Sequence, residues 1–113
     1  MCGIDFVMAV THKEAAKADK NVHFDERIHQ YLLKQAIQQK GQKLDLLLNI
    51  KPYGTEIIYT KDIPKLIKIC ETLFSKYDVN DEWGQKIKSF AKELNEMCEE
   101  AIKLKKHLYA IGD

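Results

Sequence analysis

The chain has 113 residues and a mass of 13.1 kDa, room for one domain. Eighteen basic against 17 acidic side chains leave a net charge of +1, so no global field draws it onto nucleic acid or an anionic membrane. Hydrophobic residues at 45% exclude disorder as the main state, and apolar runs as short as Leu46 to Leu48 cannot span a bilayer.

The opening MCGIDFVMAV alternates, with Ile4, Phe6, Met8 and Val10 on one face and Asp5, Val7 and Ala9 on the other. That period predicts a strand, partly buried on both sides. It has no basic segment and carries Asp5, so it does not read as a signal peptide. Thr11 with Glu14 three residues on has capping-box spacing, which predicts a short polar helix or a loop over HKEAAKADK, residues 12–20. Asp25 is a good N-cap for a stronger helix, in which Ile28, Tyr31, Leu32 and Ala36 form an apolar face widened by Leu33 and Ile37. Leu44, Leu47 and Leu48 keep that spacing, so helix is expected to about Asn49, bent or broken at Gly41 and ended by Pro52.

Thr55 to Thr60, TEIIYT, is β-branched and aromatic and predicts a second strand after the Tyr53-Gly54 turn. Asp62 then caps a helix with Pro64 in its first turn, whose apolar set is Ile63, Leu66, Ile67, Cys70, Leu73, Phe74 and Tyr77. A polar break from Asp78 to Asp81 precedes a long helix, Asp81 to Lys106. Its core stripe comprises Trp83, Ile87, Phe90, Leu94, Met97, Cys98, Ala101 and Leu104. Glu82, Glu93, Glu96 and Glu100 form an acidic stripe beside it, and Lys88, Lys92, Lys103 and Lys106 a basic one. His107 to Gly112 has the character of a further strand. The expectation is one compact domain over 1–113 of the α+β class: three to four helices with a small two- to three-stranded sheet, an all-α bundle being the alternative.

Few constellations carry chemistry. Three cysteines, Cys2, Cys70 and Cys98, are an odd and sparse set, which fits a reducing, cytoplasmic compartment rather than a disulfide framework. Cys70 and Cys98 read as small buried hydrophobes. His12, His23, His29 and His107 have no metal-ligand spacing, and the five glycines make no phosphate cradle. No metal and no cofactor are expected. Cys2 or Cys98 with His12 or His107 is the formal nucleophile-and-base pairing, but no signature surrounds either cysteine. The acidic stripe has two readings, a solvated face balanced by neighbouring lysines or a docking face for a basic partner. Tyr53, in a turn where burial is difficult, is the best exposed aromatic anchor.

The segments YTKDIPKLIKICETLFSKY and IKSFAKELNEMCEEAIKLKKHLYAIGD resemble small cytosolic bacterial proteins of the immunity type, which protect a cell against polymorphic toxins such as those of contact-dependent inhibition. The resemblance is one of general style over the second half of the chain, and it transfers no site residue. It implies a non-enzymatic inhibitor that neutralises a toxin by stoichiometric binding. The partner would be a protein, with a basic toxin domain meeting Glu82, Glu93, Glu96, Glu100 and Tyr53; neither nucleic acid nor membrane is involved, and the chain is a monomer or a homodimer. The alternatives are a phage- or mobile-element-encoded regulator of a host protein, a helical homodimeric adaptor, or a small ligand-binding or enzymatic domain.

Overall fold

A computed structural model describes residues 3–38, 44–78 and 80–112. Four strands form one antiparallel sheet in the order β2-β1-β4-β3, built from β1 (Gly3–Ala9), β2 (Val22–Asp25), β3 (Thr55–Ile58) and β4 (His107–Gly112). The central pair runs from Ile4 opposite Gly112 to Ala9 opposite His107. Between the strands lie α1 (His12–Ala16), α2 (Glu26–Gln38), α3 (Asp45–Leu48), α4 (Ile63–Lys76) and α5 (Glu82–Leu104), with a 3-10 turn over Thr60–Asp62.

The α+β class expected from the sequence is the one observed, with a fuller sheet: four strands where two to three were expected, and five helices among the described residues where three to four were expected. The additional strand is β2. Its Val22 and Phe24 enter the core while His23 and Asp25 alternate to the other side. Gly41, the expected breakpoint, and the side chains of Ala36 and Ile37 lie outside the described residues, as does Cys2.

The main core lies between one sheet face and the helices. Ile4, Phe6, Val22, Phe24, Ile58 and Leu108 meet Leu66, Leu73, Ile87, Leu94 and Met97 there. Cys70 and Cys98 are buried in it as free thiols. The Cys98 thiol is pushed up from its usual range by its hydrogen bond with Cys70 and by burial. On the opposite sheet face a smaller cluster, Val7, Ala9 and Tyr109, is covered by Ala15 of α1, so β1 is buried on both sides as its mixed pattern predicts.

Two stripes are rotated from the sequence reading. In α4 the buried arc takes in Ile69, leaving Phe74 46% exposed under the Lys88 ammonium, 4.7 Å from the ring centroid. In α5 Leu104 stands half exposed in the terminal turn, and Val10 projects into solvent beyond the end of β1. Burial there stops with the sheet, which periodicity cannot register.

The Thr11 cap of α1 forms, with the return bond from Glu14 shifted one residue upstream of the capping-box position. Thr11 Oγ1 accepts from the Glu14 N–H at 3.1 Å, and Glu14 Oε1 accepts from the Val10 N–H at 2.8 Å. Glu14 Oε2 also receives the Lys106 ammonium at 2.7 Å, tying α1 to the start of β4. Lys106, then the Val10 N–H, hold the Glu14 carboxyl below its ordinary 4.5. A carboxyl so lowered contributes stability above its unfolded value and loses it as pH falls through the folded one. The Val10 amide resonance is therefore expected to move with a midpoint below pH 4.5, and Glu14→Gln to show the acid-form shift already at neutral pH. A Val10 amide that does not titrate would refute the coupling.

Candidate functional site

The site is built where β2 passes into α2. Asp25 ends the strand and turns its carboxylate onto the Arg27 backbone N–H at 2.7 Å, the helix-start interaction its position predicts. The Arg27 guanidinium returns to the same carboxylate at 3.4 Å. Burial works against the Asp25 charge, but the Arg27 side-chain and backbone bonds outweigh it and hold the carboxyl below its ordinary range.

Opposite stands the first half of α5, started by Asp81, whose Oδ1 accepts from the Trp83 N–H at 3.3 Å. Trp83 stacks flat on Tyr31 of α2, centroids 5.0 Å apart, and so joins the two helices. Between β2, α2 and α5 opens a cleft of about 380 Å³. Ile28, Phe90 and Trp83 supply its apolar floor; Arg27, Lys86 and Glu93 supply a rim of both signs. The Lys86 ammonium lies 5.5 Å over the Trp83 ring and 3.5 Å from Glu82.

His23 stands at one end of this cleft. Its Nδ1 and the Asp5 Oδ1 lie 2.8 Å apart, so the carboxylate accepts from Nδ1–H and Nε2 is the ring's other nitrogen. That nitrogen is closed off from solvent and has no hydrogen-bond partner among the described residues. The ring lies against Gly3, where a Cβ would come within 2.7 Å of its Cε1 and within 2.6 Å of the Phe24 carbonyl oxygen. Gly3 thus lets the imidazole fold down on the sheet, and the Asp5–His23 pair fastens the edge strand β2 to β1.

The acidic stripe does not act as one unit. Glu82 pairs with Lys86, and Glu100 meets Lys20 of the α1–β2 connection at 3.0 Å. Glu93 forms part of the cleft wall, and Glu96 is exposed. Neither makes an ion pair among the described residues. Tyr53 is 76% exposed, as its turn predicts. It precedes β3, however, and β2 and β3 are the two edges of the sheet, roughly 14 Å apart by strand spacing. Of the predicted residues the fold therefore puts Glu93 in the cleft wall, ties Glu82 to the cleft's Lys86, and places Tyr53 elsewhere.

His23, Arg27 and Ser89 complete the cleft and escaped the sequence reading. The one signal available was Asp25 followed by Arg27 at a helix start, an opposite-charge pair beside an N-cap. Among the described residues no group of three or more His, Cys, Asp or Glu converges to hold a metal ion, and no helix is long and apolar enough to cross a membrane. Of the formal nucleophile-and-base partners, the Cys98 thiol is hydrogen-bonded with Cys70, His107 is hydrogen-bonded with Thr60, and the His12 ring packs edge-on against Tyr109 at 5.0 Å. No protein-family model matches the chain, and no curated protein or solved structure does so either.

Proposed function

We propose that this chain is a non-enzymatic protein-binding inhibitor, of the immunity type, that neutralises a bacterial toxin domain by occupying it stoichiometrically. The cleft between β2, α2 and α5 carries this reading. An aromatic and aliphatic floor ringed by charges of both signs has the anatomy of an interface centre, where a partner's anchor side chain is desolvated and rim charges select the cognate molecule. Beside it runs β2, an edge strand of the sheet among the described residues, and a sheet edge can take up a strand from a partner. Glu93 and Glu96 add negative charge that forms no ion pair among the described residues, which favours a basic partner.

The test is co-expression with a toxin domain encoded beside it, scored by growth rescue and by a 1:1 complex on size exclusion. The double reversal Glu93→Arg and Glu96→Arg is expected to weaken that complex by about tenfold or more and leave the thermal midpoint nearly unchanged, since both side chains are exposed. Undiminished affinity would show that the stripe is solvated surface alone.

A further inference from the structure

A second surface lies at the end of the sheet where β1 finishes and β4 begins. Thr60 governs it. Its backbone N–H donates to His107 Nδ1 at 3.0 Å, and its hydroxyl donates to the Lys106 carbonyl at 2.8 Å. These bonds clip the Tyr59–Asp62 turn onto the root of β4 and leave a hollow of about 360 Å³ lined by Tyr59, Thr60, Lys61 and His107. A backbone N–H can only donate, so Nδ1 is the acceptor and the neutral ring carries its proton on Nε2. That second nitrogen makes no hydrogen bond among the described residues.

The surroundings are basic and apolar together. Lys61, Lys103 and Lys105 are exposed, and none forms an ion pair among the described residues. Two carboxylates at this end are committed to other lysines, Glu14 to Lys106 and Asp62 to Lys65. At the same end of the molecule Tyr59, Leu104 and Val10 are each about half exposed, at 49%, 50% and 52%. Large side chains left open beside exposed lysines suit a contact surface.

We propose that this surface docks an acidic protein segment, with a carboxylate entering the hollow and neighbouring apolar side chains covering Tyr59 and Leu104. The carboxylate would meet the Nε2–H of His107 and the Lys61 ammonium, a fixed donor beside a mobile cation. Three uncommitted lysines are few for a phosphate backbone, usually met by roughly 6–10 contacts, whereas exposed aliphatic side chains suit a polypeptide. This surface is separate from the cleft and does not rest on the inhibitor reading.

The experiment is an NMR titration of the ¹⁵N-labelled full chain with a synthetic peptide of alternating glutamate and leucine. Parallel arms use sodium phosphate and oligo(dT). Saturable shifts at Thr60, Lys61, Lys105 and His107 with the peptide are expected, weakened at least tenfold by Lys61→Glu with Lys105→Glu and unaffected by Glu93→Arg. Both lysines are exposed, and an unchanged thermal midpoint verifies that the double variant is folded. Peptide shifts absent at about 1 mM, the weak limit of useful recognition, overturn the proposal. So do equal saturable shifts with phosphate or oligo(dT), which would reassign the hollow to free anions or to nucleic acid.

Discussion

Truncating Phe24 to alanine is expected to cost about 3–5 kcal/mol, the range for deleting a fully buried phenylalanine. Phe24 has no exposed surface. Its ring stacks on Phe90 of α5 at 4.5 Å and 10°, lies 4.8 Å from the His29 ring of α2, and packs at 6.4 Å against Phe6 of β1. One side chain on a four-residue edge strand therefore holds two helices and a central strand together. His29 extends the junction, since its Nε2 donates to the Leu48 carbonyl at 2.8 Å and brings in the residue ending α3. A small domain is stable by about 5–15 kcal/mol, so the variant sits near the edge of folding. Phe24→Leu retains most of the volume and forgoes the stacking, with an expected loss of about 1.5 kcal/mol. Chemical denaturation of the two variants gives both numbers. A loss for Phe24→Ala below that for Phe24→Leu would mean that the junction closes over the gap and that Phe24 is not its keystone.

The same residue explains why β2 is hard to read in the sequence. Val22, His23, Phe24 and Asp25 alternate correctly, but four residues with two apolar members barely differ from a polar loop. Asp25 is also the clearest helix-start signal nearby, and a local reading assigns it to the helix alone. In the fold it ends β2 and opens α2 at once. The long-range pairing of Asp5 with His23 that fixes this strand's register has no local trace. Strand β1 was legible because seven residues with unlike faces record the burial on each. The exposure of Glu93 and Glu96 was legible for the same reason, from 23 residues of helical period in α5. The place of Glu93 in a cleft wall was not, because the facing wall comes from the segment whose strand went unrecognised. Tyr53 is exposed as its turn requires, and only the strand order reveals that it stands at the far edge from the glutamates.

Gly84 reverses the sign that its sequence context implies. Inside the first turn of a helix, replacement of glycine by alanine ordinarily stabilises by up to about 1 kcal/mol. Here a Cβ would fall 2.0 Å from the Asp78 carbonyl oxygen and 3.0 Å from its carbon, both backbone atoms. The Asp78 backbone cannot easily retreat. Its carbonyl accepts from the Asp81 N–H at 3.4 Å and its side chain from the Asn80 N–H at 3.1 Å, which close the turn leading from α4 into α5. Asp81 in turn caps α5. Accommodating one methyl group means prising the helical hairpin apart at its root, so Gly84→Ala is expected to destabilise by about 1–3 kcal/mol. At roughly 4–8 °C per kcal/mol for a domain near this size, the thermal midpoint should fall measurably. Trp83, the single tryptophan, is the adjacent residue and stacks on Tyr31 at the cleft. Its fluorescence should shift to the red in the folded variant as that stack loosens. A raised midpoint with unchanged emission would mean that the turn yields freely and that helix propensity alone governs position 84. The expected result instead makes the hairpin's close approach the reason Trp83 stands at the cleft.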